Sequence, residues 1–433
     1  MNYRFYNARI LTMEEEKGKD CDLREIFMGE VHVSDSVITY VGEKPLEGDV
    51  KFDREIDCKG NLLMPGFKNA HTHSGMTAMR SYADGLPLQE WLETKIFPME
   101  AKMTGDDVKL LTKLAIMEYC TSGITAAMDM YLTPYTIADA FTECGMRVVQ
   151  VSGINKFGPS LEEFEERFLK INGKNPLSTQ LMGFHAEYTC DPELLEKLSD
   201  LAHKYKQPMY THNSETEAEV NGCIERYGKT PTAFLDSLGL FDFGGGGYHC
   251  VHMTDEDLEI FKKRDMSIIS NPGSNTKLAS GVADITKYLD KGINVALGTD
   301  GPSSNNCLDM FREMFLVTGL AKLREKNASA VDALEVLKMA TKNGAKAMLL
   351  NDSDVLAEGK QADMIMIDLF QPNMQPFNDI ARNIVFSGSK QNVKMTMVAG
   401  KILYEDGKYN IGVDPYEVYA EATKIMDRLK ASV

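Results

Sequence analysis

From Asn61 to about residue 360, short apolar runs recur between longer amphipathic stretches, and this alternation constrains the fold more than any other feature of the chain. A parallel strand needs a crossover to reach its neighbour, and a helix that covers the sheet face is the usual one, so the pattern points to βα units. The apolar runs predict strands at Leu62–Phe67, Thr125–Met130, Arg147–Val151, Leu181–Phe184, Pro208–Thr211, Gly247–Tyr248, Ser267–Ser270 and Asn294–Gly298. Eight such strands argue for a closed α/β barrel over residues 61–360. The helices between them carry punctuation: Ser160 with Glu163 as a capping box, Asp191 before Pro192 as an N-cap, and Gly173 and Gly344 as stops.

The flanks read differently. Tyr3–Ile10, Gly29–Val33 and Val37–Val41 are β-prone runs without a helical period, and Ala362–Asp368 and Val393–Tyr404 return to that composition. Residues 1–60 and 361–412 are therefore expected to pair into one small composite β-unit, with Pro415–Ala431 as an amphipathic helix within 413–433. The net charge of -17 would repel the phosphates that dominate polynucleotide affinity, which excludes a nucleic-acid polymer as partner and favours a small ligand. Eight cysteines (Cys21, Cys58, Cys120, Cys144, Cys190, Cys223, Cys250, Cys307) show no C-x-x-C spacing and read as reduced thiols. With neither a secretory leader nor an apolar run near the roughly 18 residues of a membrane span, the expectation is a cytoplasmic protein away from membranes.

Chemistry concentrates at the predicted strand ends. His71 and His73, at i and i+2 in Asn69-Ala70-His71-Thr72-His73, project to one side of an extended segment and can reach one ion, although H-x-H alone also fits a surface pair. His212 ends the fifth strand and Asp300 the eighth, and in a barrel those ends converge. Three imidazoles and a carboxylate suit one divalent ion, Zn²⁺ first with Fe²⁺ or Mn²⁺ as alternatives, leaving a position for water that loses its proton near neutral pH. The plain alternatives are a core histidine for His212 and a helix N-cap for Asp300. Glu215, three residues past His212, could hold a proton near that water or be a solvated carboxylate at a helix start. His249 closes strand six and could orient the water, His185 at the end of strand four faces a substrate, and His252 reads as structural. His32 and His203 are read as surface positions. Ser178–Thr189 contains no lysine to bridge a second metal, so one ion is expected. Gly244–Gly247 lacks a following Gly-Lys-Ser/Thr and reads as a flexible approach to strand six rather than a phosphate loop.

Together these stretches, with Glu90-Trp91-Leu92, Pro98-Met99-Glu100, Asn271-Pro272-Gly273-Ser274-Asn275 and Ser304-Asn305-Asn306, resemble the amidohydrolase superfamily, and within it the methylthioadenosine/S-adenosylhomocysteine deaminase group. The resemblance implies a distorted (β/α)8 TIM barrel beside a small β-sandwich formed by the N- and C-terminal segments. It implies a metal-dependent hydrolytic deaminase of a 6-aminopurine nucleoside, in which Asp300 binds metal and takes the proton of the attacking water, Glu215 passes a proton to the ring nitrogen and His249 polarises the water. Glu100 would bind ribose hydroxyls, His185 the nucleoside, and Trp91 would wall the pocket; a homo-oligomer is compatible. Arginines that hold an amino-acid carboxylate after strand three in such proteins have no counterpart in Val151–Leu161, where only Lys156 is basic. That favours adenosine, 5′-deoxyadenosine or methylthioadenosine over S-adenosylhomocysteine. The alternatives are a guanine, pterin or triazine deaminase or chlorohydrolase on the same site, and, more remotely, a non-catalytic barrel.

Overall fold

The computed structural model describes residues 1–15, 25–46, 50–156, 158 and 160–432. Two sheets organise them. One is an eight-stranded sheet whose spatial order follows the chain: Phe67–Thr72, Ile124–Tyr131, Arg147–Ser152, Ser178–Ala186, Met209–Asn213, Gly245–His249, Met266–Ser270 and Asn294–Leu297, termed strands one to eight. Every neighbouring pair is parallel. Strand eight meets strand one through a short seam rather than a long ladder. Asn69 Nδ2 donates to Thr299 Oγ1 (2.7 Å), Thr299 N donates to Asn69 Oδ1 (2.9 Å), and Asp300 N donates to the His71 carbonyl (3.0 Å). Gly298 permits this approach, since a Cβ there would lie 2.8 Å from both N and Cβ of His71. The barrel interior is filled, not hollow: Met128, Val149, Tyr210, Tyr248 and Ile269 pack together, and Tyr210 donates its hydroxyl proton to the Ala347 carbonyl (2.8 Å) at the base.

The second sheet has nine strands among the described residues and joins the two chain ends. Its centre is Asn2–Ile10, whose alternating burial places Tyr3, Phe5, Ala8 and Ile10 in a common apolar layer with Val31, Val33, Met364 and Met397. Asn2–Ile10 pairs antiparallel with Phe27–Ser34 and parallel with Arg54–Asp57 and Leu62–Pro65; Leu62–Pro65 then pairs antiparallel with Met364–Ile367. The sheet is tied to the barrel by the buried Arg147–Asp363 pair (2.7 and 3.1 Å) and by Thr396 Oγ1 donating to the Cys120 carbonyl (2.7 Å). The final helix, Pro415–Lys430, packs on Gly105–Thr121 and pairs Arg428 with Asp107 (2.5 Å).

Several local expectations are corrected. The predicted first strand, Leu62–Phe67, divides: Leu62–Pro65 belongs to the mixed sheet, and the barrel strand starts at Phe67. The chain changes sheets at Gly66, where a Cβ would meet the Thr125 side chain at 2.0 Å. Gly344 is no stop but lies inside the helix Lys342–Ala347, where a Cβ would press on Lys68 Cβ at 2.8 Å. The Gly244–Gly247 run is not a flexible approach: Gly245 opens strand six, and a Cβ there would sit 1.8 Å from the Met209 carbonyl oxygen. His32 is buried, not at the surface, and its Nε2 stands 2.9 Å from Glu30 Oε2. The expected caps at Ser160 and Asp191 form, accepting from Glu163 N (3.2 Å) and Leu194 N (2.9 Å). Seven cysteines are unpaired among the described residues, and Cys21 lies outside them. No helix of the described residues is long and apolar enough to cross a membrane.

The seam makes a specific demand on Asn69. Replacing it with alanine strands the buried Thr299 N–H, while the Thr299 hydroxyl keeps its bond to the Asp300 carbonyl (3.1 Å), and is expected to lower unfolding stability by about 1–3 kcal/mol in urea titration. An unchanged midpoint and slope would show that the barrel closes without this side chain.

Candidate metal centre and active site

The ends of strands one, five, six and eight bring together His71, His73, His212, His249 and Asp300. One donor atom each from His71, His212, His249 and Asp300 lies within 4.8 Å of the others. His73 joins from the rim, its Nε2 3.1 Å from Asp300 Oδ1, while His71 Nε2 is 3.4 Å from the same oxygen. Hydrogen bonds fix which nitrogen faces inward. Nδ1 of His73 bonds the Met130 carbonyl (2.5 Å), that of His212 the His185 carbonyl (2.7 Å), and that of His249 the Asn275 Oδ1 (2.7 Å). A carbonyl or amide oxygen only accepts, so each Nδ1 carries a proton and Nε2 is the nitrogen left to face an ion.

His249 reaches the site by a backbone device that alternation does not anticipate. Tyr248 fills the barrel interior and stacks on His71 (3.7 Å, 21°), so strict parity would turn His249 outward. Left-handed backbone at His249 (φ 68°) and Cys250 (φ 48°) turns it back over the mouth. Ser214 (φ 51°) and Asp300 (φ 56°) use the same region at the ends of strands five and eight.

These residues fit a divalent ion. His71 is fully buried, and neither of its ring nitrogens has a hydrogen-bond partner, which is costly unless something else takes the lone pair. Burial lowers His71 to about 3 and His212 well below the imidazole range, which keeps both neutral as ligands must be. Asp300 behaves oppositely: burial works against its charge, but His71 and His73 outweigh it and hold the carboxylate ionised. Burial likewise opposes charge on His73, yet Asp300 prevails and lifts it to about 9, so the field at this point draws positive charge. Asp300 Oδ2 is occupied by Ser274 Oγ (2.6 Å) and Ser304 Oγ (2.7 Å), leaving Oδ1 toward the histidines.

Above the histidines opens a cavity whose apolar walls and few convergent polar groups are those of a small-molecule site. Glu215, Glu100, His185 and Trp91 all line it. Glu215 is buried and pushed upward by burial; its Oε1 accepts from Ser280 Oγ (3.1 Å) and its Oε2 lies 3.8 Å from His249 Nε2. His249 Nε2 is in turn 3.9 Å from Asp300 Oδ2. Burial pushes Glu100 up to about 7 against a hydrogen bond from Tyr131. His252 stays outside, bonded to the Ser280 carbonyl (2.7 Å). Sequence reasoning missed Tyr131, Asn155, Tyr188 and Ser304 in the lining, and it missed Glu219. The Glu219 carboxylate accepts from Ser214 N and Glu215 N (2.8 Å each) and so holds the turn that aims Glu215. A signal existed: Thr216 and Glu219 have capping-box spacing, and Thr216 Oγ1 does accept from Glu219 N (3.2 Å).

A model of the amidohydrolase family matches residues 62–403, which span both the barrel and the second half of the mixed sheet. The chain belongs to the amidohydrolase family. Among its curated relatives, the 5-methylthioadenosine/S-adenosylhomocysteine deaminase of Caldanaerobacter subterraneus is 40% identical over 98% of this chain and 98% of that protein. The 5′-deoxyadenosine deaminase of Methanosarcina mazei is 39% identical over 99% of this chain and 98% of its own length. Of the solved structures, an adenosine deaminase from Xanthomonas campestris with bound zinc superposes with a TM-score of 0.91 at 30% identity, covering 99% of this chain and 98% of that one. As an amidohydrolase, the chain is a hydrolase, and the histidine and aspartate cluster suits a divalent metal.

A direct check is the metal itself. Replacing His212 with alanine is expected to weaken Zn²⁺ binding by more than about tenfold in chelator competition, read alongside metal content. Wild-type affinity in that variant would remove His212 from the ligand set.

Proposed function

We propose that this amidohydrolase is a metal-dependent deaminase of 6-aminopurine nucleosides, converting adenosine, 5′-deoxyadenosine or 5′-methylthioadenosine and water into the inosine analogue and ammonia. The observation that carries this reading is the buried chain of proton-handling groups Asp300, His249 and Glu215 along one wall of the cavity. The relatives named as nucleoside deaminases, matched over nearly their whole length, support the same reaction.

In this reading His71, His73, His212 and Asp300 would hold one divalent ion, Zn²⁺ in preference to Fe²⁺ or Mn²⁺. When bound there, such an ion would lower the pKa of the attacking water toward neutral pH. Asp300 takes the proton of that water, and His249 orients it for attack on purine C6. Glu215, whose burial favours its protonated form, donates to the ring nitrogen N1. Water oxygen bonds to C6, the C6–NH₂ bond breaks as Asp300 passes its proton to the leaving nitrogen, which departs as ammonia, and the proton of the C6 hydroxyl restores Glu215 while N1 keeps the one it received. His185 and Trp91 bound the nucleoside, and Glu100 accepts hydrogen bonds from the ribose hydroxyls.

In this reading the 5′ end of the substrate would face the apolar part of the cavity wall. Leu88, Leu92, Phe97 and Leu132 line the cavity, and no lysine or arginine is among its described lining. This agrees with the single basic residue in Val151–Leu161, of which Phe157 and Pro159 lie outside the described residues. A neutral 5′ group is therefore preferred over the zwitterionic tail of S-adenosylhomocysteine. The test is ammonia release over nucleosides, free bases and triazines: the expected order places 5′-deoxyadenosine and methylthioadenosine first. Equal kcat/KM for S-adenosylhomocysteine would overturn the preference, and turnover of guanine or triazines alone would overturn the reading.

Two variants probe the roles. Glu215→Gln should retain metal while kcat drops by about 10²–10⁴-fold. For Glu100, deprotonation on raising pH through about 7 creates the carboxylate that accepts ribose hydroxyls. KM for a nucleoside should therefore fall with rising pH across that value and lose this dependence in Glu100→Gln; an unaltered KM profile in the variant would exclude Glu100 from ribose binding.

A further inference from the structure

On the outer side of the site, on helix Met310–Glu325, the side chain of Glu313 is fully buried and does not line the cavity. Its two carboxylate oxygens each take one donor from a different loop. Oε2 accepts from the Gly273 N–H (2.8 Å), in the segment after strand seven, and Oε1 accepts from Asn305 Nδ2 (2.8 Å), in the segment after strand eight. The first loop carries Ser274, which donates to Asp300 Oδ2 (2.6 Å), and Asn275, which holds Nδ1 of His249 (2.7 Å). The second carries Ser304, which donates to the same Asp300 oxygen (2.7 Å). Asn305 also donates to the carbonyl of Thr299 (2.7 Å), the residue preceding Asp300. The arrangement is close-fitting, since a Cβ at Gly273 would lie 2.4 Å from Glu313 Oε1.

Such a carboxylate is an expensive way to fill space. Burial pushes it up to about 8, and an apolar side chain of similar volume would sit in this core at lower cost. What an apolar side chain cannot do is accept from both loops at once. Every hydrogen bond that orients Asp300 Oδ2, and the one that orients His249, therefore leads back within two residues to a partner of Glu313.

We propose that Glu313 is a positioning residue, a buried clamp that joins the loops after strands seven and eight and so fixes Asp300 and His249 for metal binding and deamination. The activity part rests on the deaminase reading; the metal part does not. Glu313→Gln keeps the volume and converts one acceptor into a donor facing an N–H. It is expected to weaken Zn²⁺ affinity, measured by chelator competition, and to lower kcat for 5′-deoxyadenosine, each by about 10–100-fold, with KM within about twofold. Asn305→Ala cuts the same link from the other side and should shift both readouts in the same direction. Adding Ser304→Ala to Glu313→Gln should lower kcat by less than Ser304→Ala does in the wild type, because both act on one oxygen of Asp300. Wild-type Zn²⁺ affinity and kcat in either single variant, or strictly additive effects in the double variant, would overturn the proposal. If Glu313→Gln does not fold, Asn305→Ala decides by the same two readouts. If the wild-type protein deaminates no nucleoside, the deaminase reading fails, and the Zn²⁺ affinities of the variants still decide for or against the clamp.

Discussion

The closure of the barrel between its last strand and its first is the constraint on which the rest depends. The Asn69 side chain binds Thr299 twice, Asp300 N donates to the His71 carbonyl, and Gly298 lets the two backbones approach. The same few residues belong to the candidate metal site, because His71 and Asp300 are direct participants in the seam. Folding and convergence of the site are therefore one event: a barrel that failed to close would leave the carboxylate away from the imidazoles. Segments more than 200 residues apart in sequence meet here, as the 228-residue span of the Thr72–Asp300 hydrogen bond illustrates.

Concentrating five histidine or aspartate side chains under a cavity is electrostatically adverse without support, and the surrounding residues supply that support. Carbonyls at Met130 and His185 and the Asn275 amide oxygen select one tautomer for three histidines. Serine hydroxyls occupy the outer oxygen of Asp300, and Glu219 grips the turn bearing Glu215. Backbone strain is placed at the same points, with left-handed residues at the ends of strands five, six and eight. Strained backbone persists only where neighbouring contacts over-determine it, and the buried hydrogen bonds to these turns provide that.

Much of the fold was legible because barrel architecture is written in periodicity, which is local. Seven of the eight predicted barrel strands overlap their observed positions closely, and the misplacement of the other, Leu62–Phe67, has a physical origin. An apolar run reports burial, not which of two adjoining sheets buries it, and the change of sheet at Gly66 depends on the Thr125 side chain from a distant segment. Gly344 and Gly245 were misread for the same reason: in sequence, a glycine that ends a helix or loosens a loop is indistinguishable from one that admits a neighbouring backbone or side chain.

The sequence by itself determined which histidines and aspartate stand at strand ends, since H-x-H spacing and residues closing apolar runs need no knowledge of distant contacts. It also determined that both chain ends are β-rich and that no arginine follows strand three within Val151–Leu161. Only the tertiary structure decided that His249 turns inward against parity, that His73 stands at the rim with His71 beneath it, and that Glu219 and Glu313 brace the site from outside the cavity. Those outcomes depend on positive backbone angles and on hydrogen bonds between segments far apart in the chain, and such terms exist only once the barrel has closed.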